Sequence, residues 1–399
     1  MKILTAKQTQ DADAYTIKNE PIKSIDLMER ASQKCVDWLV NKFDKTVSFN
    51  LFCGVGNNGG DGLAITRMLK QKGYEIIVYC VHFSEKHTPD FDTNLSRIKT
   101  IGINPILLTE KEHQFILSQK TVVIDAIFGS GLARPIDGFV AEIIHKINNT
   151  DVDIIAIDMP SGLFSESNIN NNLENIIHAN YTLTFQQPKL TMLFPENFRF
   201  VGEFEILDIG LHQEFLNNVN TSNYYLTLDF IKSIVHQRKK FSHKGNYGHA
   251  LLIAGSEGKM GAEILSARAC LRTGVGLLTI LLPKNGLQIM QTAVPEAMCI
   301  CDEADNYISV LPNITSFDGV GIGPGLGKEK QTQNVLKLLI QNSTHPIVID
   351  ADAINIISEN LTWMPFIPPQ SILTPHPKEF ERLVGKWEND EERLEKQKL

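Results

Sequence analysis

Five times along this chain a short β-branched, apolar run ends in a turn rich in glycine or aspartate, and an amphipathic stretch follows. Ser48–Cys53 leads into GVGNNGGDG, Val122–Ile124 into DAIFGSG, and Asp153–Ile157 into DMPSG. His249–Ala254 leads into GSEGKMG and Val320–Ile322 into GPGLG. Strands that alternate with helical patterns build a mainly parallel sheet wrapped by helices. Continuous apolar runs such as LLTILLP (Leu277–Pro283) fit strands covered on both faces. The expected fold class is α/β, with doubly wound sheets.

The repeats fall into two blocks, which suits a length of 399 residues. The first block closes with FEILDIGL at Leu211, and the second opens just before HALLIAGS. Between them, residues 213–227 (QEFLNNVNTSNYYLT) are polar and Asn-rich, so a linker is expected there. The expected domains are therefore 1–212 and 228–399. The net charge of −8, with no basic run longer than Arg238–Lys240, offers no footprint for nucleic acid or an anionic membrane. Six scattered cysteines without a CxxC pair exclude a disulfide framework and a zinc knuckle. No run approaches 18 apolar residues and the N-terminus has no apolar leader, so a soluble, cytoplasmic protein is expected.

Gly54, Gly56 and Gly59 satisfy GxGxxG, a pattern that can bring backbone N–H groups up to a phosphate. A dinucleotide fingerprint also needs an acid at the end of the next strand. Here EIIVYCVHF ends at His82 and Phe83, which argues against an ordinary Rossmann dehydrogenase. The unusual content of the turn is polar: Asn57, Asn58 and Asp61. Asp61 could serve simply as a helix N-cap. Asp125 and Asp158 each follow a strand, and strand C-termini line the edge where open α/β sheets bind ligands. Oxygen donors from Asn58, Asp125 and Ser161 suit an alkali or alkaline-earth cation. Arg134 in GSGLARP offers a phosphate contact.

NNGGDG, DAIFGSGLARP and DMPSGL, in that order, resemble the NAD(P)H-hydrate epimerase domain over roughly the first 211 residues. The resemblance implies a Rossmann-like three-layer sandwich that binds hydrated NADH or NADPH. It places substrate at Asn57, Asn58, Gly59, Gly60 and Asp61, at Gly129, Ser130, Gly131, Leu132, Ala133, Arg134 and Pro135, and at Asp158. It places a potassium ion at Asn58, Asp125 and Ser161. Epimerising a hydroxyl-bearing ring carbon needs a positioned proton donor and acceptor, for which Asp158 is the catalytic candidate and Lys189 in FQQPKL the secondary one.

In the second block, GSEGKMGA, GPGLG, DADAIN and TPHPKEF resemble the ADP-dependent NAD(P)H-hydrate dehydratase domain, which is ribokinase-like, over Phe241–Gly385. That resemblance implies hydrate contacts from Ala262, Gly325 and His376, with magnesium and ADP (or ATP) as cofactors. The family continues to a GTGD motif whose Asp is its expected base, and nothing like it lies between Leu383 and Leu399. An incomplete second domain with impaired dehydration is therefore expected. The expected whole is a homo-oligomeric nicotinamide-nucleotide repair enzyme acting on a small molecule. The alternative is a non-catalytic hydrate- or nucleotide-binding scaffold.

Overall fold

The computed structural model describes residues 1–399 apart from Gln119 and His236. The chain divides into two compact units, Met1–Val235 with Asn389–Glu391, and His236–Glu388 with Glu392–Leu399. Among the described residues no helix is long and apolar enough to cross a membrane.

The first unit holds seven parallel strands: β1 (Ser48–Cys53), β2 (Glu75–Val81), β3 (Ile106–Leu108), β4 (Thr121–Ala126), β5 (Ile154–Ile157), β6 (Tyr181–Phe185) and β7 (Glu203–Leu207). Their order is β3-β2-β1-β4-β5-β6-β7. Central β4 is buried at every position, as a strand covered on both faces must be. One face packs Leu51, Ile124 and Ile155 with Val36, Leu39, Leu63 and Leu69 from two helices. The other packs Val123 and Ala156 with Ile143, Ile144 and Ile147. The order reverses between β1 and β4, so the turns after these two strands open a crevice at the sheet's C-terminal edge.

The second unit repeats the plan with β8 (His249–Ile253), β9 (Leu277–Leu282), β10 (Met298–Cys301), β11 (Gly319–Ile322), β12 (Ile347–Ile349) and β13 (Ile372–Leu373). The order is β10-β9-β8-β11-β12-β13, again parallel throughout, with its reversal between β8 and β11. Two doubly wound α/β domains follow one another, as the strand–turn–helix repeats require.

The stretch expected as a linker is folded instead. Residues 213–227 contain a helix, Gln213–Asn218, and Tyr224 bridges to Lys2. Phe215, Leu216 and Val219 pack against Leu4, Ala12, Leu27, Ile209 and Leu211. The asparagines give this stretch a linker's composition, but its few apolar residues close one edge of the first unit. The division falls after Val235.

Candidate active site

The turn after β1 is itself the start of a helix. Gly56 is the N-cap of Asn57–Gln71, so NNGGD forms the first turns and Asp61 lies inside the helix rather than capping it. The first N–H groups of a helix have no intrahelical partner, and Gly56, Asn57 and Asn58 line the crevice. The glycines are there mainly for contact. A Cβ on Gly54 would stand 2.1 Å from the Ile127 carbonyl oxygen, and one on Gly59 would stand 1.7 Å from the Gly54 oxygen. They lock the β1 turn against the β4 turn. A Cβ on Gly60 would meet Met28 at 2.9 Å.

Over this edge lies a cleft of about 950 Å³. It is lined by Asn57, Asn58 and Asp61 from the first turn and by residues 129–134 from the second. Asp158 lines it from the turn after β5, and Lys86 and His87 from the loop after β2. Gly59, Gly60 and Pro135, expected at substrate, do not line it, and neither do Asp125 and Ser161, which sit beneath.

At the floor, Asp158 occupies the left-handed region (φ +64°), which Asp and Asn tolerate better than other side chains. Its Oδ2 accepts from the Ser130 N–H at 3.0 Å, and its Oδ1 accepts from Lys189 Nζ. Lys189 is 2% exposed and also donates to Thr184 Oγ1 (2.8 Å) and to the Phe185 carbonyl. Burial would raise the Asp158 carboxyl, but the Lys189 charge and the hydrogen bonds outweigh it and hold the group below the usual carboxylate range. Asp61 behaves oppositely. Burial, then the Asp158 charge, pushes it well above its ordinary value, although Ser32 Oγ donates to its Oδ1 at 3.2 Å. One cleft therefore holds two carboxyls whose proton affinities are pushed in opposite directions, Asp158 down and Asp61 up.

Asp125 is fully buried and joined to Ser161. The Ser161 N–H donates to Oδ2 at 2.7 Å, and Ser161 Oγ donates to Oδ1 at 2.6 Å. Burial lifts Asp125 to about 6, against those hydrogen bonds. The Asn58 amide is buried next to Gly129, and among the described residues neither its Oδ1 nor its Nδ2 has a partner. A buried amide without partners is costly unless a ligand completes it.

In the second unit, the turns after β8, β11 and β12 meet. Ser256 Oγ donates to the Gly325 carbonyl at 2.7 Å, and a Cβ on Gly325 (φ +63°) would stand 3.2 Å from that of Ala262. Ala262 and Gly325 are thus neighbours. His376 caps the helix that it precedes. Its Nδ1 accepts from the Lys378 N–H at 3.1 Å, and its N–H donates to Glu379. Sequence reasoning missed the tie between these turns: Asp352 Oδ2 accepts from Lys259 Nζ (3.0 Å) and from the Gly327 N–H (2.9 Å). Its signal was in part available, since DADAIN follows an apolar run, with Asp350 directly after β12 and Asp352 in the first turn of the helix that begins there.

Residues 24–191 match the family described as YjeF-related protein N-terminus, and residues 250–399 match the NAD(P)H-hydrate dehydratase family. The bifunctional NAD(P)H-hydrate repair enzyme of Moorella thermoacetica is 32% identical over 96% of this chain and 75% of its own length. Its counterpart from Dictyoglomus turgidum is 30% identical over 96% of this chain and 76% of its own. A solved ADP/ATP-dependent NAD(P)H-hydrate dehydratase from Bacillus subtilis, crystallised with ATP and Mg²⁺, is 28% identical. It overlaps 40% of this chain and 55% of its own, with a TM-score of 0.33. The chain belongs to the bifunctional NAD(P)H-hydrate repair enzyme family.

Proposed function

We propose that the first unit interconverts the R and S forms of hydrated NADH and NADPH, with Asp158 as its catalytic carboxylate. The observation that carries this reading is the buried Asp158–Lys189 pair at the switch-point cleft. Epimerisation requires the hydroxyl to leave and return on the opposite face. A carboxylate kept ionised by Lys189 can take the proton from the returning water, and its charge favours an electron-poor ring. A cleft of about 950 Å³ is ample for a nicotinamide nucleotide. The helix start at Asn57 and Asn58, together with Arg134, suits the diphosphate.

A potassium ion fits the donor set. The Asn58 amide oxygen on the cleft wall, with the Asp125 carboxylate and Ser161 beneath, are hard donors. A bound cation would offset the Asp125 charge and tie the turns after β1, β4 and β5 together. The second unit is of the type that uses ADP or ATP with magnesium to dehydrate the S form, with Ala262, Gly325 and His376 toward the hydrate.

Mixing the chain with R and S hydrates of NADPH and following them by chromatography tests the reading. Interconversion well above the buffer rate is expected, and it slows when potassium is replaced by a bulky organic cation. Tight binding without turnover would leave a binding protein in its place.

A further inference from the structure

The helix Ala6–Asn19 forms one wall of the first unit's cleft through Thr9, Gln10 and Asp13. At three- and four-residue spacing these side chains share one helix face. Thr9 Oγ1 accepts from Gln187 Nε2 at 3.3 Å, which sets this face against the turn that carries Lys189. A Cβ on Gly131 would stand 3.9 Å from Gln10 Nε2, which sets the same face against the loop that carries Ser130. Asp158 is bonded to both Lys189 and Ser130. Asp13, one turn along the helix, therefore faces the same space as Asp158. Among the described residues its carboxyl has no hydrogen-bond or ion-pair partner.

We propose that Asp13 is the acid that delivers the proton to the departing hydroxyl, working across the cleft from the Asp158 carboxylate. The proposal rests on the epimerase reading above. In the step, the Asp13 O–H bond breaks and its proton joins the hydroxyl oxygen of the hydrate. The C–O bond then breaks, and water leaves with the bonding pair. The ring carbon is left electron-poor and conjugated with the ring nitrogen. Water adds to the opposite face and a proton returns to the enzyme, so nothing is consumed and no oxidant or reductant is needed.

Charge favours this division of labour. Asp13, Asp61 and Asp158 all line the cleft, and of these three only the Asp158 carboxylate is bonded to the buried ammonium of Lys189. Lys86, His87 and Arg134 line the cleft from the loops after β2 and β4. Burial pushes Asp13 up to about 7, with the Asp158 charge adding and Lys189 opposing. An acid there is protonated often enough to donate and acidic enough to let go. Asp61 is the poorer donor, because its carboxyl is buried and engaged by Ser32.

The test is kcat and KM for R-to-S conversion of NADPH hydrate between pH 5.5 and 9, for the full chain and for Asp13→Asn, Asp13→Glu and Asp61→Asn. Hydrate affinity is measured alongside by equilibrium dialysis. For the unaltered chain kcat should fall above about pH 7, where Asp13 loses its proton. Asp13→Asn should cut kcat on the order of 10²–10³-fold with KM and affinity nearly unchanged, and its residual rate should lack that fall. Asp13→Glu should restore much of the rate with the fall at a shifted midpoint, and Asp61→Asn should keep the fall where it was. Asp13→Asn at the normal rate, or slow but with the fall retained, overturns the assignment. If that variant does not fold, an Asp13→Glu midpoint identical to the unaltered chain's overturns it instead. No epimerisation by the unaltered chain overturns the epimerase reading itself, a result distinct from an active chain indifferent to position 13.

Discussion

Asp158→Asn is expected to lower the epimerisation rate by about 10²–10⁴-fold, the usual contribution of a positioned acid–base group. It should also lower the stability of the first unit, for a separate reason. The substitution removes the anionic partner of a lysine that is 2% exposed. Breaking a buried pair from one side costs on the order of 3–5 kcal/mol, because the remaining charge stays buried. Thr184 and Phe185 still accept from Lys189 and blunt the loss. The backbone adds little, since Asn suits a φ of +64° about as well as Asp does.

The double variant Asp158→Asn/Lys189→Met separates the two effects. Deleting both charges removes the unpaired ammonium, so the melting temperature should recover most of what the single variant lost. Activity should not recover, because no carboxylate remains to take the proton. Thermal melts and a chromatographic rate assay on the two variants decide between the roles. A double variant that regains both stability and turnover would reduce the pair to a structural tie.

The distribution of these residues explains how much the sequence disclosed. Both sheets were legible because period, strand composition and turn residues agree in every repeat. Asp125 and Asp158 were legible because each ends an apolar run, Asp125 near the C-terminal end of β4 and Asp158 just after β5, and the strand order brings strand ends together. Asp13 was not legible. It lies in the polar run TAKQTQDADAY, where nothing separates a cleft-facing carboxyl from a solvated one. Nor does sequence reveal that Lys189 is buried. Lysines seldom are unless paired, and its partner stands 31 residues earlier. Gly59 and Gly60 have a packing role that their motif does not disclose: their missing side chains make room for backbone and for Met28.

In the second unit, Glu263→Gln is expected to raise stability, and by more as the pH rises. Glu263 lies on the helix Met260–Thr273 at 0% exposure, and among the described residues neither carboxyl oxygen has a hydrogen-bond partner. Its Oε2 would stand 2.2 Å from a Cβ on Gly255, so the carboxyl is pressed against the turn after β8. Burial pushes it from an ordinary 4.5 to about 8. The folded chain then keeps the proton at neutral pH while the unfolded chain releases it. With the folded value above the unfolded one, stability is greatest below pH 4.5 and is lost as pH climbs toward about 8. At about 1.4 kcal/mol per unit, the loss is on the order of 3 kcal/mol by neutral pH and 4–5 kcal/mol beyond the folded pKa. Glutamine has nearly the same shape and no proton to release. Its advantage should therefore be slight at pH 5 and several kcal/mol at pH 8.5, while pH effects from all other groups cancel in the difference. Trp363 and Trp387 lie in the second unit and Trp38 in the first, so calorimetry alongside tryptophan fluorescence can assign the transition. Curves for the two proteins that stay parallel from pH 5 to 8.5 would mean that Glu263 is ionised in the fold, and a cation or donor would then have to be found for it.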